Sequence, residues 1–164
     1  MSEAEARRLL GLRDTEALRR LGLRYAAAID GCDAEALLAI FTGDGSIGNT
    51  DAADPDFIGH NALRLMIGQV DAMFIKTLHK VHNQLIEHQP GAATAHGHTY
   101  CTASHIMPAT GGGWQCLDMA IRYHDNYRIE DGAWKFASRR LETEWVEIRP
   151  VQPFYRSIFA GIAP

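Results

Sequence analysis

The stretch RYAAAIDGCDAEALLAIF, residues 24–41, decides how this chain is read. Its first half ends an amphipathic helix that runs from about residue 14. Leu18, Leu21, Tyr25, Ala28 and Ile29 recur near helical spacing, with Arg19, Arg20 and Arg24 on the other side. Asp14 is placed as its N-cap, and Gly31 stands just past its end, where helices commonly stop. Asp33 caps a second short helix that reaches Phe41 and stops at the turn Gly43-Asp44-Gly45. A carboxylate, Asp30, therefore terminates a helix whose inner side is otherwise apolar, five residues after Tyr25.

Outward from there, residues 46–49 read as a short strand and AADPD, residues 52–56, as a loop. A third helix over about residues 60–73 places Leu63, Leu65, Met66, Val70 and Met73 toward a core. The pattern then changes. Four segments rich in β-favouring residues follow, at roughly 77–88, 93–107, 113–129 and 133–148, separated by the turns HQPGA, PATGGG and EDGA. Short turns of this chemistry predict consecutive antiparallel hairpins. The first of these strands contains HKVHNQLIEH, opened by His79. Three helices followed by a curved antiparallel meander make an α+β fold with the helices on one sheet face. No repeat, low-complexity tract or linker divides the chain, so residues 1–164 are expected to form one domain with its core at about 12–147. The tail, PVQPFYRSIFAGIAP, is apolar and Pro-rich, and is expected to dock on a cavity mouth or a neighbouring subunit.

Composition bounds the function. A chain of 164 residues, 46% hydrophobic and 22% charged, is long enough to bury a sizeable core and a ligand cavity. Its net charge of -4 gives no electrostatic basis for binding nucleic acid or an anionic membrane surface. No run of about 20 apolar residues exists, and MSEAEARRLL carries charges where a signal peptide needs an apolar stretch. The three cysteines, Cys32, Cys101 and Cys116, are widely spaced and odd in number, which fits reduced thiols better than disulfides. The expectation is a soluble cytoplasmic protein without membrane or nucleic-acid partners.

RYAAAIDGCDAEALLAIFTGDGSI, FIGHNALRLMI, HKVHNQLIE and DGAWKFASRR together resemble the cone-shaped, cystatin-like fold of the nuclear transport factor 2 superfamily, and within it the SnoaL-like branch. That branch is similar to scytalone dehydratase, bile acid 7α-dehydratase and hexachlorocyclohexane dehydrochlorinase. The resemblance implies a His–Asp dyad in the mouth of the cone, with no metal or organic cofactor. It assigns Asp30 and His79 to the dyad, and Tyr25 and His105 to further active-site positions. Arg139 or Arg140 falls where several members place a cavity arginine, and strand alternation permits only one of them to face inward. Phe57, Leu63, Met66 and Trp114 are candidates for cavity wall or core. Departures from the dehydratase pattern stand at Asn49, in place of a carbonyl-polarising tyrosine, and at Ile121 and Tyr123, in place of two polar residues. Asn49 and Tyr123 are thereby substrate-binding candidates. The resemblance also implies a homo-oligomer, trimer or dimer.

The residue types suit elimination. A neutral imidazole serves as a base near pH 7, because its ordinary pKa of about 6.5 lies close to that pH. An adjacent carboxylate orients the ring and stabilises the imidazolium. The activity implied is that of a cofactor-independent lyase acting on a small, largely apolar cyclic substrate. An isomerase or hydrolase in the same cavity is the alternative, and so is a non-enzymatic ligand-binding or small-subunit protein, in which Asp30 and His79 would stand too far apart to bond. A metal centre finds little support. His79 and His82 point to opposite strand faces, His96 and His98 share one, and no third ligand has convincing spacing.

Overall fold

Helix α1 (Glu3–Asp30) begins eleven residues before the position expected from periodicity, in a computed structural model that describes residues 1–152. Ser2 is its N-cap. The Ser2 hydroxyl accepts from the Glu5 backbone N–H at 3.2 Å, and the Glu5 carboxylate accepts in return from the Ser2 backbone N–H at 2.7 Å. The first three turns are mostly exposed, so they carry no apolar stripe for a periodicity argument to find. Asp14 is not a cap but a buried mid-helix residue, whose carboxylate accepts from the Trp134 indole N–H at 3.0 Å. Gly31 does end the helix, yet it stays near helical φ, and the positive φ of 49° falls on Cys32 instead.

Helix α2 (Ala34–Leu38) is capped by Asp33 as expected but is shorter, and Phe41 already belongs to strand β1 (Phe41–Asn49). The Gly43-Asp44-Gly45 segment is not a turn. It is a bulge within β1, where the register with the last strand shifts between Phe41↔Phe136 and Ser46↔Ser138. A two-residue strand β2 (Phe57–Ile58) leads into α3 (Gly59–Met73). Leu63 and Met66 of α3 are buried with Ile67, and Val70 packs partly against them. Leu65 and Met73 are instead 68% and 58% exposed. Leu65 lies two residues from Leu63, about 200° around the helix, and Met73 lies in its terminal turn.

Four long strands follow: β3 (Lys76–Glu87), β4 (Thr94–Pro108), β5 (Trp114–Glu130) and β6 (Ala133–Val151). They form the antiparallel meander read from the sequence. The β5–β6 turn places Asp131 and Gly132 at φ 52° and 73°, the left-handed pair that a tight hairpin needs. The sheet itself is mixed. Its order is β2-β1-β6-β5-β4-β3, and β1 runs parallel to β6, so the two short segments before α3 extend a meander that the sequence presented as purely antiparallel. A bulge interrupts β3 between Val81 and Gln84. The helices pack on the concave face over Leu18, Leu21, Leu37, Phe41, Leu63 and Phe136. No helix among the described residues is long and apolar enough to cross a membrane. Most of the apolar tail, from residue 153 onward, lies outside the described residues.

Candidate active site

Asp30 is the last residue of α1, and the end of that helix abuts the start of β3. The carboxylate is held from three directions. Its Oδ1 accepts from the Thr77 hydroxyl at 2.8 Å and meets His79 Nδ1 at 2.7 Å, and its Oδ2 accepts from the His79 backbone N–H at 2.8 Å. Burial opposes ionisation of Asp30, but the bonds from the His79 ring, its backbone N–H and Thr77 outweigh it and hold the carboxyl below its ordinary pKa. An ionised carboxylate can only accept, so Nδ1 carries a ring proton, and in the neutral imidazole Nε2 is then the nitrogen with the lone pair. The His79 side chain is 4% exposed and lines a cavity of about 170 Å³.

Tyr25 lies one and a half turns before Asp30 on the same helix, its ring edge-on to His79 with centroids 6.2 Å apart. A second edge-on contact, at 5.7 Å, joins it to Tyr123 of β5. Burial pushes the Tyr25 hydroxyl up to about 12, against the opposing pull of Arg139, so the phenol stays protonated and available as a donor. His105, on β4 directly across from Thr77, faces His79 at 5.7 Å and Phe74 at 4.6 Å. It is 8% exposed, and its Nδ1 has no protein partner among the described residues. Burial first, and the neighbouring His79 second, keep its pKa below the ordinary histidine value.

The walls follow the sequence reading in part. Asn49, Phe57, Met66 and Tyr123 line the cavity together with Tyr25, His79 and His105. Leu63 does not; it is fully buried in the core among the helices. Trp114 does not either, because it opens β5 opposite Pro108, at the far end of the strand from the hairpin with β6.

Neither arginine reaches the cavity. Arg139 points inward, as alternation requires of one of the pair, but lies beneath the floor. Its Nε and a terminal nitrogen donate to the two oxygens of Asp125, each at 2.8 Å, and both residues are almost wholly buried. Its guanidinium stacks on the rings of Tyr25 and Tyr123 at 4.3 and 4.1 Å. Arg140 points outward and donates to the backbone carbonyls of Asn49 and Ala52. Asp125 was missed in the sequence, although Tyr123, Asp125 and Tyr127 alternate onto one face of β5 and Asp125 pairs in register with Arg139. Thr77, two residues before His79 and so on its face, was legible by the same rule. His82 and His96 bond to Thr102 and Asn126, and no three His, Cys, Asp or Glu side chains among the described residues converge as metal ligands.

The model of the SnoaL-like domain matches residues 11–140, and the chain belongs to that family. No curated protein sequence matches it. Among solved structures, a type 2 hexachlorocyclohexane dehydrochlorinase (LinA) superposes with a TM-score of 0.76 at 19% identity, covering 90% of this chain and 96% of that one. A protein assigned as a scytalone dehydratase from Novosphingobium aromaticivorans gives 0.69 at 23% identity over 88% and 95% of the two chains. An NTF2-like protein with a cystatin-like fold from the same organism gives 0.65 at 22% identity over 85% and 87%. At these identities the likeness is one of fold, the α+β cone.

Proposed function

We propose that this protein is a cofactor-independent lyase that eliminates water or halide from a small, largely apolar cyclic substrate. The observation that carries the reading is the bond between Asp30 and His79 beside an open cavity, at 2.7 Å. His79 Nε2 takes a proton from a carbon of the substrate, the electrons of that C–H bond become the new double bond, and the bond from the adjacent carbon to the leaving group breaks. Asp30 stabilises the imidazolium so formed. A leaving hydroxyl needs a proton, which the Tyr25 phenol or the new imidazolium supplies, whereas a halide leaves as the anion. A positioned base of this kind contributes about 10²–10⁴-fold. Donors aimed at the leaving group, Tyr25 and His105, supply more.

An apolar cavity of about 150 Å³ holds benzene, so the 170 Å³ here accommodates a single substituted ring. The dehydrochlorinase and dehydratase among the structural relatives support elimination as the reaction class. An isomerase would use the same two residues and differ in where the proton returns. The bonded dyad weighs against a purely ligand-binding role. Trp145, Val146 and Ile148, exposed together at the end of β6, support a homo-oligomer, which sedimentation equilibrium tests directly. To test the reaction, monocyclic alcohols and halides are incubated with wild type, Asp30→Asn and His79→Ala, with product identified by mass. Turnover that survives loss of His79 sinks the proposal.

A further inference from the structure

Asp30 is a short side chain at the end of a helix, and its outer torsion has no sharp preference of its own. What donates to the carboxylate therefore sets its orientation. Among the described residues three groups do so: the Thr77 hydroxyl to Oδ1 at 2.8 Å, His79 Nδ1 to Oδ1 at 2.7 Å, and the His79 backbone N–H to Oδ2 at 2.8 Å. Of these, only the imidazole changes its protons when it works as a base. The hydroxyl and the backbone N–H keep theirs, and they grip different oxygens. Two fixed donors on two oxygens define the plane of a carboxylate without help from the ring.

Thr77 is built to be one of the two. It is 4% exposed, lies two residues before His79 on the same face of β3, and pairs in register with His105 of β4. A β-branched side chain is stiff at χ1, so its hydroxyl stays where the strand puts it. Each carboxylate oxygen offers about two lone pairs. Those of Oδ1 are taken by Thr77 and His79, which leaves none for a ligand hydroxyl to claim. His105, Cys101 and Cys32 also feel the Asp30 charge, but among the described residues none of them bonds to it.

We infer that Thr77 is a positioning residue: with the His79 backbone N–H it fixes the Asp30 carboxylate in place independently of the imidazole, and so holds His79 in the tautomer that bares Nε2. Without the hydroxyl, Oδ1 has only the ring to hold it, and carboxylate and ring lose their register whenever the imidazole turns or trades its proton. The half-buried carboxylate is also left one donor short, which makes it easier to protonate. A protonated Asp30 is no longer a pure acceptor and no longer dictates which ring nitrogen carries hydrogen. The inference rests on the reading above only in taking Asp30 and His79 as the reacting pair.

The test compares the full chain as wild type, Thr77→Val and Thr77→Ser, by ¹⁵N–¹H correlation of the imidazoles and ¹³C titration of the Asp30 carboxyl. Wild type and Thr77→Ser are expected to show His79 with its proton at Nδ1. Thr77→Val, which keeps the shape and loses the donor, is expected to show a mixture of the two tautomers. Its Asp30 is expected to bind a proton about tenfold or more tightly than in wild type. The inference is overturned if Thr77→Val keeps the single tautomer, if the proton affinity of Asp30 is unchanged, or if Thr77→Ser behaves like Thr77→Val. Should Thr77→Val not fold, the crystal structure of His79→Ala decides: the carboxylate is expected to keep its bonds to the Thr77 hydroxyl and the backbone N–H at position 79, and a carboxylate turned away overturns the inference. Turnover plays no part in the readout. A protein whose tautomer depends on Thr77 but which eliminates nothing removes the lyase reading and keeps the inference; one that eliminates while its tautomer ignores Thr77 does the reverse.

Discussion

Asp30 grips His79 by two different groups, the ring Nδ1 at 2.7 Å and the backbone N–H at 2.8 Å, and so sets the position of the strand and the tautomer of the ring together. The tautomer is the first prediction. Imidazole ¹⁵N shifts are expected to show His79 protonated at Nδ1 and bare at Nε2 in wild type, and to lose that preference in Asp30→Asn. With a substrate in hand, the same variant is expected to lose about 10²–10⁴-fold in kcat while remaining folded. A bare Nδ1 in wild type would rule out Nε2 as the base.

The Arg139–Asp125 pair sets a second expectation. Removing one partner strands a fully buried charge, so Arg139→Met or Asp125→Leu alone is expected to cost about 3–5 kcal/mol. The double variant is expected to cost clearly less than the sum of the two, measured by urea unfolding. Additive losses would mean that the two charges do not depend on one another.

Acid stability gives a third. The pKa of His105 lies below its ordinary 6.5, so as pH falls past 6.5 the unfolded chain takes up a proton that the folded protein resists, and stability declines toward the folded-state value. Asp30 acts with the same sign but lower on the scale: its contribution is complete above the ordinary 3.8 and is lost as pH falls through the depressed folded value. Wild type is therefore expected to weaken in two stages on acidification. His105→Gln is expected to flatten only the upper one, in melts recorded from pH about 7 to 3. Parallel profiles for the two proteins would refute it.

Gly48 offers a fourth. Gly48→Ala puts a methyl group against Pro55 and Asp56 backbone atoms at under 3 Å, so the loop has to move. A loss of about 1–3 kcal/mol is expected, with faster amide exchange at Asn49, whose N–H is bonded to Asp56. Unchanged exchange there would show that the loop is not held by this contact.

Most of the architecture was legible because period and turn chemistry write it directly: four strands divided by HQPGA, PATGGG and EDGA fall within about three residues of their observed ends. What stayed hidden was settled by packing. The first turns of α1 have no buried face to betray them, and Gly43-Asp44-Gly45 has the composition of a turn but is a bulge because β1 must follow β6. At the site, Asp30 and His79 could be paired because each is a polar residue in an apolar setting. The fate of Arg139 could not be read, since it depends on Asp125 across a hairpin and on the rings stacked over the guanidinium. Leu63 and Trp114 show the same limit: residue type says apolar wall, and only position along the element says which wall.

The interruption in β3 has a consequence for how copies of this protein meet. β3 is one rim of the sheet, twelve residues long, and an unbroken rim of that length offers free N–H and C=O groups on which another chain could build a strand. The bulge between Val81 and Gln84 breaks that row, and Lys76, Lys80 and His82 line it with exposed polar side chains. The other rim, β2, is only two residues long. The β3 border is thus closed to strand-by-strand aggregation, whereas on the opposite side β6 runs on past Leu141, the last of its residues paired with β1, and among the described residues its second half stays open for another strand to pair with.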